Sequence, residues 1–123
     1  MTAPGPAGRP VERAQAQAFA EAQLRAFLAV WVAQGYRPAA AKFLTPDYQA
    51  SASEPGVPLR AGRVSSVRLT EWTSADRFQV QAELQLSFDG QQGAWTNGSN
   101  TRFVTVTRTL PDHEYRLSLA TSP

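Results

Sequence analysis

The chain has 123 residues, 42% of them hydrophobic and 18% charged, and its 12 Lys+Arg against 10 Asp+Glu leave a formal charge of +2. That describes one globular domain with enough chain to bury a core without covalent staples. With Cys 0 and His113 as the single histidine, thiol nucleophiles, thiolate zinc, iron–sulfur ligation and multi-histidine zinc sites are excluded, and neither a metal nor a cofactor is expected.

Residues 2 to 10 are rich in Pro, Gly and Ala and read as a linker, either a flexible tail or the stub that follows an upstream anchor. The domain itself is expected over residues 11 to 123. From Val11 to Gln34 strong helix formers run without Gly or Pro, and Phe19, Leu24, Phe27, Leu28 and Trp31 recur at spacings of three and four. This predicts a long amphipathic helix, closed at Gly35 by a backbone conformation that glycine adopts without strain. Pro38 opens a short second helix that continues from Ala39 to Leu44 and stops at Thr45-Pro46. Residues 49 to 62 hold Ser51, Ser53, Pro55, Gly56, Pro58 and Gly62, a density of breakers that predicts an irregular crossing segment.

Beyond Gly62 the apolar period changes from 3.6 to 2. Residues 63 to 73 are expected to form one strand and residues 77 to 88 a second, with Phe78, Val80, Ala82, Leu84, Leu86 and Phe88 alternating against glutamines, Glu83 and Ser87. Thr101 to Leu110 makes a third strand and Glu114 to Thr121 a fourth, joined by a turn at Pro111-Asp112-His113. Between the second and third strands, Asp89-Gly90 and Asn97-Gly98 both fit a tight turn, and the register stays open. Alternation places Val67, Leu69, Val80, Leu84, Leu86, Phe103, Tyr115, Leu117 and Leu119 on the dry face. Arg68, Trp72, Gln81, Arg102, Arg108 and Arg116, with Val64, Val104 and Val106, fall on the other. The expected class is α+β, a long helix and a short one packed on a strongly curved antiparallel sheet of about four strands, as in a cystatin-like cone.

The stretch AFAEAQLRAFLAVWVAQGYRPAAAKFLTPDY, residues 18 to 48, resembles the opening of nuclear transport factor 2-like domains. The ending FVTVTRTLPDHEYRLSLATSP, residues 103 to 123, is similar to their last hairpin. These are signatures of a fold. The superfamily includes ketosteroid isomerase-like and cyclase-like (SnoaL-like) enzymes, dehydratases, and transport and assembly adaptors, and fold analogy does not choose among them. The resemblance implies a cone lined here by Trp31, Tyr36, Phe43, Tyr48, Leu69, Glu71, Leu84 and Phe103.

An isomerase-type enzyme of that kind needs a carboxylate base inside the cone and donors for a developing oxyanion. Glu71 shares the phase of Val67 and Leu69, and Asp47 lies at the short helix's exit. These are the candidate bases, though both also fit solvated rim and turn positions. His113 reads as part of a surface turn. The open sheet face, with Arg68, Trp72, Gln81, Arg108 and Arg116, has the mix of aromatic and arginine side chains enriched at protein interfaces, and a homodimer is expected there. A small apolar ligand or a protein partner is expected in preference to catalysis. The arginines are too dispersed for nucleic acid, and no stretch approaches the ~20 apolar residues of a membrane span.

Overall fold

The computed structural model describes residues 10–52, 55–90 and 94–122; the expected tail therefore falls almost wholly outside the described residues. A 3-10 turn, Arg13–Gln15, leads into α1 (Ala16–Gln34), followed by α2 (Tyr36–Phe43) and α3 (Pro46–Ser51). Four strands follow: β1 (Leu59–Ser74), β2 (Arg77–Phe88), β3 (Gly98–Arg108) and β4 (Tyr115–Ala120). They form one antiparallel sheet in the order β1-β2-β3-β4. The α+β arrangement is the expected one, a long helix and short helices on an open, curved sheet.

In α1 the buried positions Ala16, Ala20, Leu24, Phe27, Leu28 and Trp31 follow the three-and-four spacing of one helical face. Gly35 ends the helix with φ 102, a region closed to most side chains, and its N–H donates to the Trp31 carbonyl at 2.9 Å. With that reversal α2 begins at Tyr36, and Pro38 lies in its first turn, where the backbone N–H groups have no intrahelical acceptor to lose.

Thr45-Pro46 does more than stop α2. Thr45 Oγ1 accepts the Tyr48 N–H at 3.2 Å and Pro46 takes the first helical position, so the pair caps and opens α3. Residues 49 to 51 therefore belong to a helix and not to the irregular crossing. Just before it, Leu44 bridges Leu117 in parallel and the Thr45 N–H donates to the Leu117 carbonyl at 2.9 Å, covering part of the β4 edge.

β2 keeps strict alternation, with Phe78, Val80, Ala82, Leu84, Leu86 and Phe88 all buried. β1 does not. Its pairing with β2 shifts register between Leu59/Ala61, Val64/Ser66, Leu69/Glu71 and Trp72/Ser74, and each extra residue bends the strand and reverses which side chains face inward. At Gly62, opposite Leu86, an added Cβ would lie 3.1 Å from Leu86 Cδ2 and 3.5 Å from Leu28 Cδ2, so the missing side chain lets β1 close on α1.

Several expected face assignments are corrected by this register. β3 turns Asn100, Arg102, Val104 and Val106 inward, because Ala82 pairs with Arg102, Val80 with Val104 and Phe78 with Val106. Phe103, opposite Gln81, faces outward and is half-buried. Val64 is buried opposite Leu84, and Trp72 stacks inward on Phe78 with ring centroids 5.3 Å apart. Glu71, opposite Gln79, faces outward and is exposed, because the bulge at Thr70 breaks the alternation on which its inward placement depended. Between β2 and β3, neither expected tight turn forms. The ladder ends at Leu86 opposite Gly98, and Phe88 donates its N–H to Asn97 Oδ1 at 2.6 Å; residues 91 to 93 of this connection lie outside the described residues.

The interior between α1 and the sheet is filled by side chains. Trp31 is 2% exposed and makes ring contacts with Phe27, Tyr36, Phe88 and Trp95 at centroid distances of 5.5, 5.2, 5.8 and 5.6 Å. Phe27, Phe78, Leu24, Leu28, Leu84 and Leu117 are fully buried elsewhere in the same core. Burial of each such side chain contributes about 1.5–3 kcal/mol. At the other end the Tyr115 hydroxyl accepts the Val11 N–H at 2.8 Å and donates to the Ala75 carbonyl at 2.6 Å, tying the start of the domain to the β1–β2 turn.

Candidate functional site

The two candidate bases do not converge. Glu71 is exposed on the outer face, and Asp47 is exposed in the first turn of α3. Among the described residues the buried polar side chains are Asn100 and Arg102, with no carboxylate beside them. Of the expected cone lining, Trp31, Phe43 and Leu84 are core, while Tyr36 and Leu69 are half-buried at its margin. Phe43 meets Phe27 edge-on at 6.2 Å. Tyr48, on α3, is likewise half-buried against the core, and Phe103 lies on the opposite side of the sheet.

Arg102 and its neighbours are the polar feature that sequence reasoning placed on the wrong face. The guanidinium lies over the Trp95 ring at 3.9 Å from the centroid, donates through Nη1 to the Thr101 carbonyl at 2.9 Å and through Nη2 to the Ala94 carbonyl. Asn100 accepts the Thr96 N–H at 2.9 Å and donates to the Thr96 and Gly98 carbonyls. Together these two residues hold the loop that seats Trp95 against Trp31. Burial pulls the Arg102 guanidinium below its ordinary value, against the opposing influence of Tyr48. Burial likewise pushes the Tyr48 hydroxyl up, and the Arg102 charge opposes it. The signal that locates Arg102 is the run Asn100-Arg102-Val104-Val106, whose two valines share one phase while Thr101, Thr105 and Thr107 occupy the other.

Of the expected interface residues, Arg68 and Gln81 do share the outer face, joined by a 2.6 Å hydrogen bond from Nη2 to Oε1. Beside them Ser99 donates to Glu83 Oε2 at 2.6 Å, and a hollow of about 120 Å³ is lined by Ser66, Arg68, Gln81, Glu83 and Thr101. Trp72 belongs to the inner face, as described. Arg108 is opposite the buried Tyr115 and reaches Asp76 at 3.5 Å. Arg116 is engaged within the chain, donating to the Ala41 and Lys42 carbonyls at 3.3 and 3.0 Å and pairing with Asp112 at 3.1 Å.

His113 is exposed in the β3–β4 turn with φ 59. Asp112 does not orient it: this carboxylate accepts the Glu114 N–H, Arg116 and the Thr109 hydroxyl, each at 3.1 Å. The Glu114 N–H first, and then Arg116, hold its carboxyl below the usual range. Among the described residues no three His, Cys, Asp or Glu side chains are placed to hold a metal, and no helix is long and apolar enough to cross a membrane.

Two further concavities lie among the described residues. One, of about 340 Å³, lies between the end of α1 and the segment before β1, lined by Trp31, Val32, Tyr36, Val57, Pro58 and Leu59. The other, of about 720 Å³, lies where α3 meets β4 and the ends of β2 and β3. Set against family models, curated proteins and solved structures, the chain matches none of them.

Proposed function

We propose that this chain is a non-catalytic binding or assembly module of the nuclear transport factor 2-like type. Its partner is a protein, in the first instance a second copy of itself, engaged through the outer face of the sheet. The observation that carries this reading is the filled interior. Trp31 and its ring partners pack between α1 and the sheet, and no carboxylate is buried among the described residues, so none is placed there to act as the base that an isomerase, dehydratase or cyclase would need.

What remains for recognition is the outer face, where Gln79, Gln81, Gln85, Phe103 and Thr105 are each half-exposed. Arg68 and Glu83 flank one hollow on that face. Two-fold association is self-complementary by construction, so each copy can present its arginine to the other's glutamate. Sedimentation velocity tests this. The chain is expected to sediment as a dimer, Arg68→Glu and Glu83→Arg each to shift it toward monomer, and the double exchange to restore the dimer. A monomeric parent, or single variants that keep the parent's mass distribution, would sink the self-association reading. A small apolar ligand is the second reading, supported by the apolar lining of the 340 Å³ cleft at Trp31. Val57→Asp would then abolish any ligand-induced change in tryptophan emission.

A further inference from the structure

The hollow beside α3 draws on parts of the chain remote in sequence. Thr45 and Tyr48 come from the helical side, Arg77 from the start of β2, Thr107 and Arg108 from the end of β3, and Ser118 from β4. Two arginines thus border one solvent-open space of about 720 Å³, and Asp47 is the acidic residue on its wall.

The state of these groups is informative. Arg77 is exposed and pairs with no carboxylate among the described residues. Arg108 is held in place by its own N–H, which donates to the Asp76 carbonyl at 2.9 Å. Its side chain is 16% exposed, its one ion pair, to Asp76 Oδ1, is long at 3.5 Å, and its Nε is buried with no partner. The hydroxyls of Thr107 and Ser118 make no hydrogen bond among the described residues. Arg108 with its long ion pair, Arg77 with no carboxylate partner among the described residues, and two hydroxyls without a hydrogen bond there make the lining of this hollow rich in donors.

We propose that this hollow binds a small organic oxyanion, a carboxylate or a phosphate ester, through Arg77 and Arg108. Arginine forks match both headgroups in geometry and charge. Thr107 and Ser118 supply further donors, and Pro46, Tyr48 and Leu110 give the ligand's carbon body an apolar wall. The site shares no lining residue with the Arg68–Glu83 hollow, and its titration reads anion binding, where sedimentation reads self-association.

The test titrates the full chain with inorganic phosphate and, separately, with benzoate at constant ionic strength, following backbone amide signals. Saturable shifts centred on Thr107, Arg108 and Ser118 are expected, with roughly millimolar affinity for at least one probe. Arg77→Gln is expected to weaken binding about tenfold or more, the scale of one charge-assisted hydrogen bond. Arg63→Gln, an exposed arginine at the far end of β1 opposite Gln85, removes the same net charge and is expected to leave affinity unchanged. The tighter probe identifies the headgroup, and equal affinities indicate a general oxyanion site. Shifts that stay linear with both probes overturn the proposal, as does equal binding by the parent and Arg77→Gln or equal weakening in the two variants.

Discussion

Tyr115 shows how much of this fold depends on single polar atoms. Its ring is buried against Phe19 and Phe78, while its hydroxyl accepts from Val11 and donates to Ala75, residues 104 and 40 positions away. Tyr115→Phe keeps the ring and leaves both partners without the hydroxyl, so a loss of about 1–3 kcal/mol is expected in urea unfolding, the cost of stranding a buried polar group. Tyr48 provides a pH signature. Burial raises its hydroxyl above the ordinary value of about 10, so the unfolded chain gives up this proton first. The stabilisation it brings is complete below that ordinary value and is lost as pH climbs through the higher folded value. Unfolding curves from neutral to strongly alkaline pH are expected to fall less steeply for Tyr48→Phe than for the parent. An identical alkaline slope would show that Tyr48 does not titrate differently in the folded state.

Among the elements, α3 is too short to stand by itself and depends on its cap. Six residues cannot sustain a helix in water, and this one is held by Thr45 Oγ1, by Pro46 at its first position and by the neighbouring attachment to Leu117. Thr45→Ala removes the acceptor for the Tyr48 N–H and is expected to cost about 0.5–2 kcal/mol, read as a lowered thermal midpoint. If the midpoint does not move, Pro46, the Gln49 side chain on the Leu44 carbonyl and the backbone bond to Leu117 hold the helix without the cap. β1 teaches a different lesson. Its residues are strand formers, and Val67 and Leu69 do face inward as their alternation predicts. A bulge inserts a residue without leaving a distinct mark in a sequence of Ser, Thr and Arg, so the phase of Glu71 and Trp72 was not readable locally.

For the whole molecule, the proposed function rests on the packing around Trp31 between α1 and the sheet. Trp31 touches four other aromatic rings, and Trp31→Ala is expected to cost about 3–5 kcal/mol and leave an apolar void. Such a void binds small apolar molecules. Indole is therefore expected to raise the thermal midpoint of this variant and to leave that of the parent unchanged. A parent stabilised by indole to the same extent would mean that the interior already has room for a ligand, and would reopen the enzymatic reading. The outer face carries the complementary expectation of self-association through Arg68 and Glu83.

The order of α1, α2 and the four strands, the α1 face from Ala16 to Trp31 and the inward row from Phe78 to Phe88 were legible in the chain alone, whereas α3 was not, because only those two faces repeat their period over many residues. β3 carried a usable signal as well, in the shared phase of Val104 and Val106, although Phe103 masks it by bringing an aromatic ring to the opposite face. Where residues meet across the sheet was decided only in three dimensions. Register is set by bulges and by partners on other strands, and a shift of one residue sends a side chain to the other side. For that reason the fold class followed from local periodicity. Glu71 outside, Arg102 inside and the gathering of Arg77, Arg108 and Ser118 around one hollow followed from tertiary pairing.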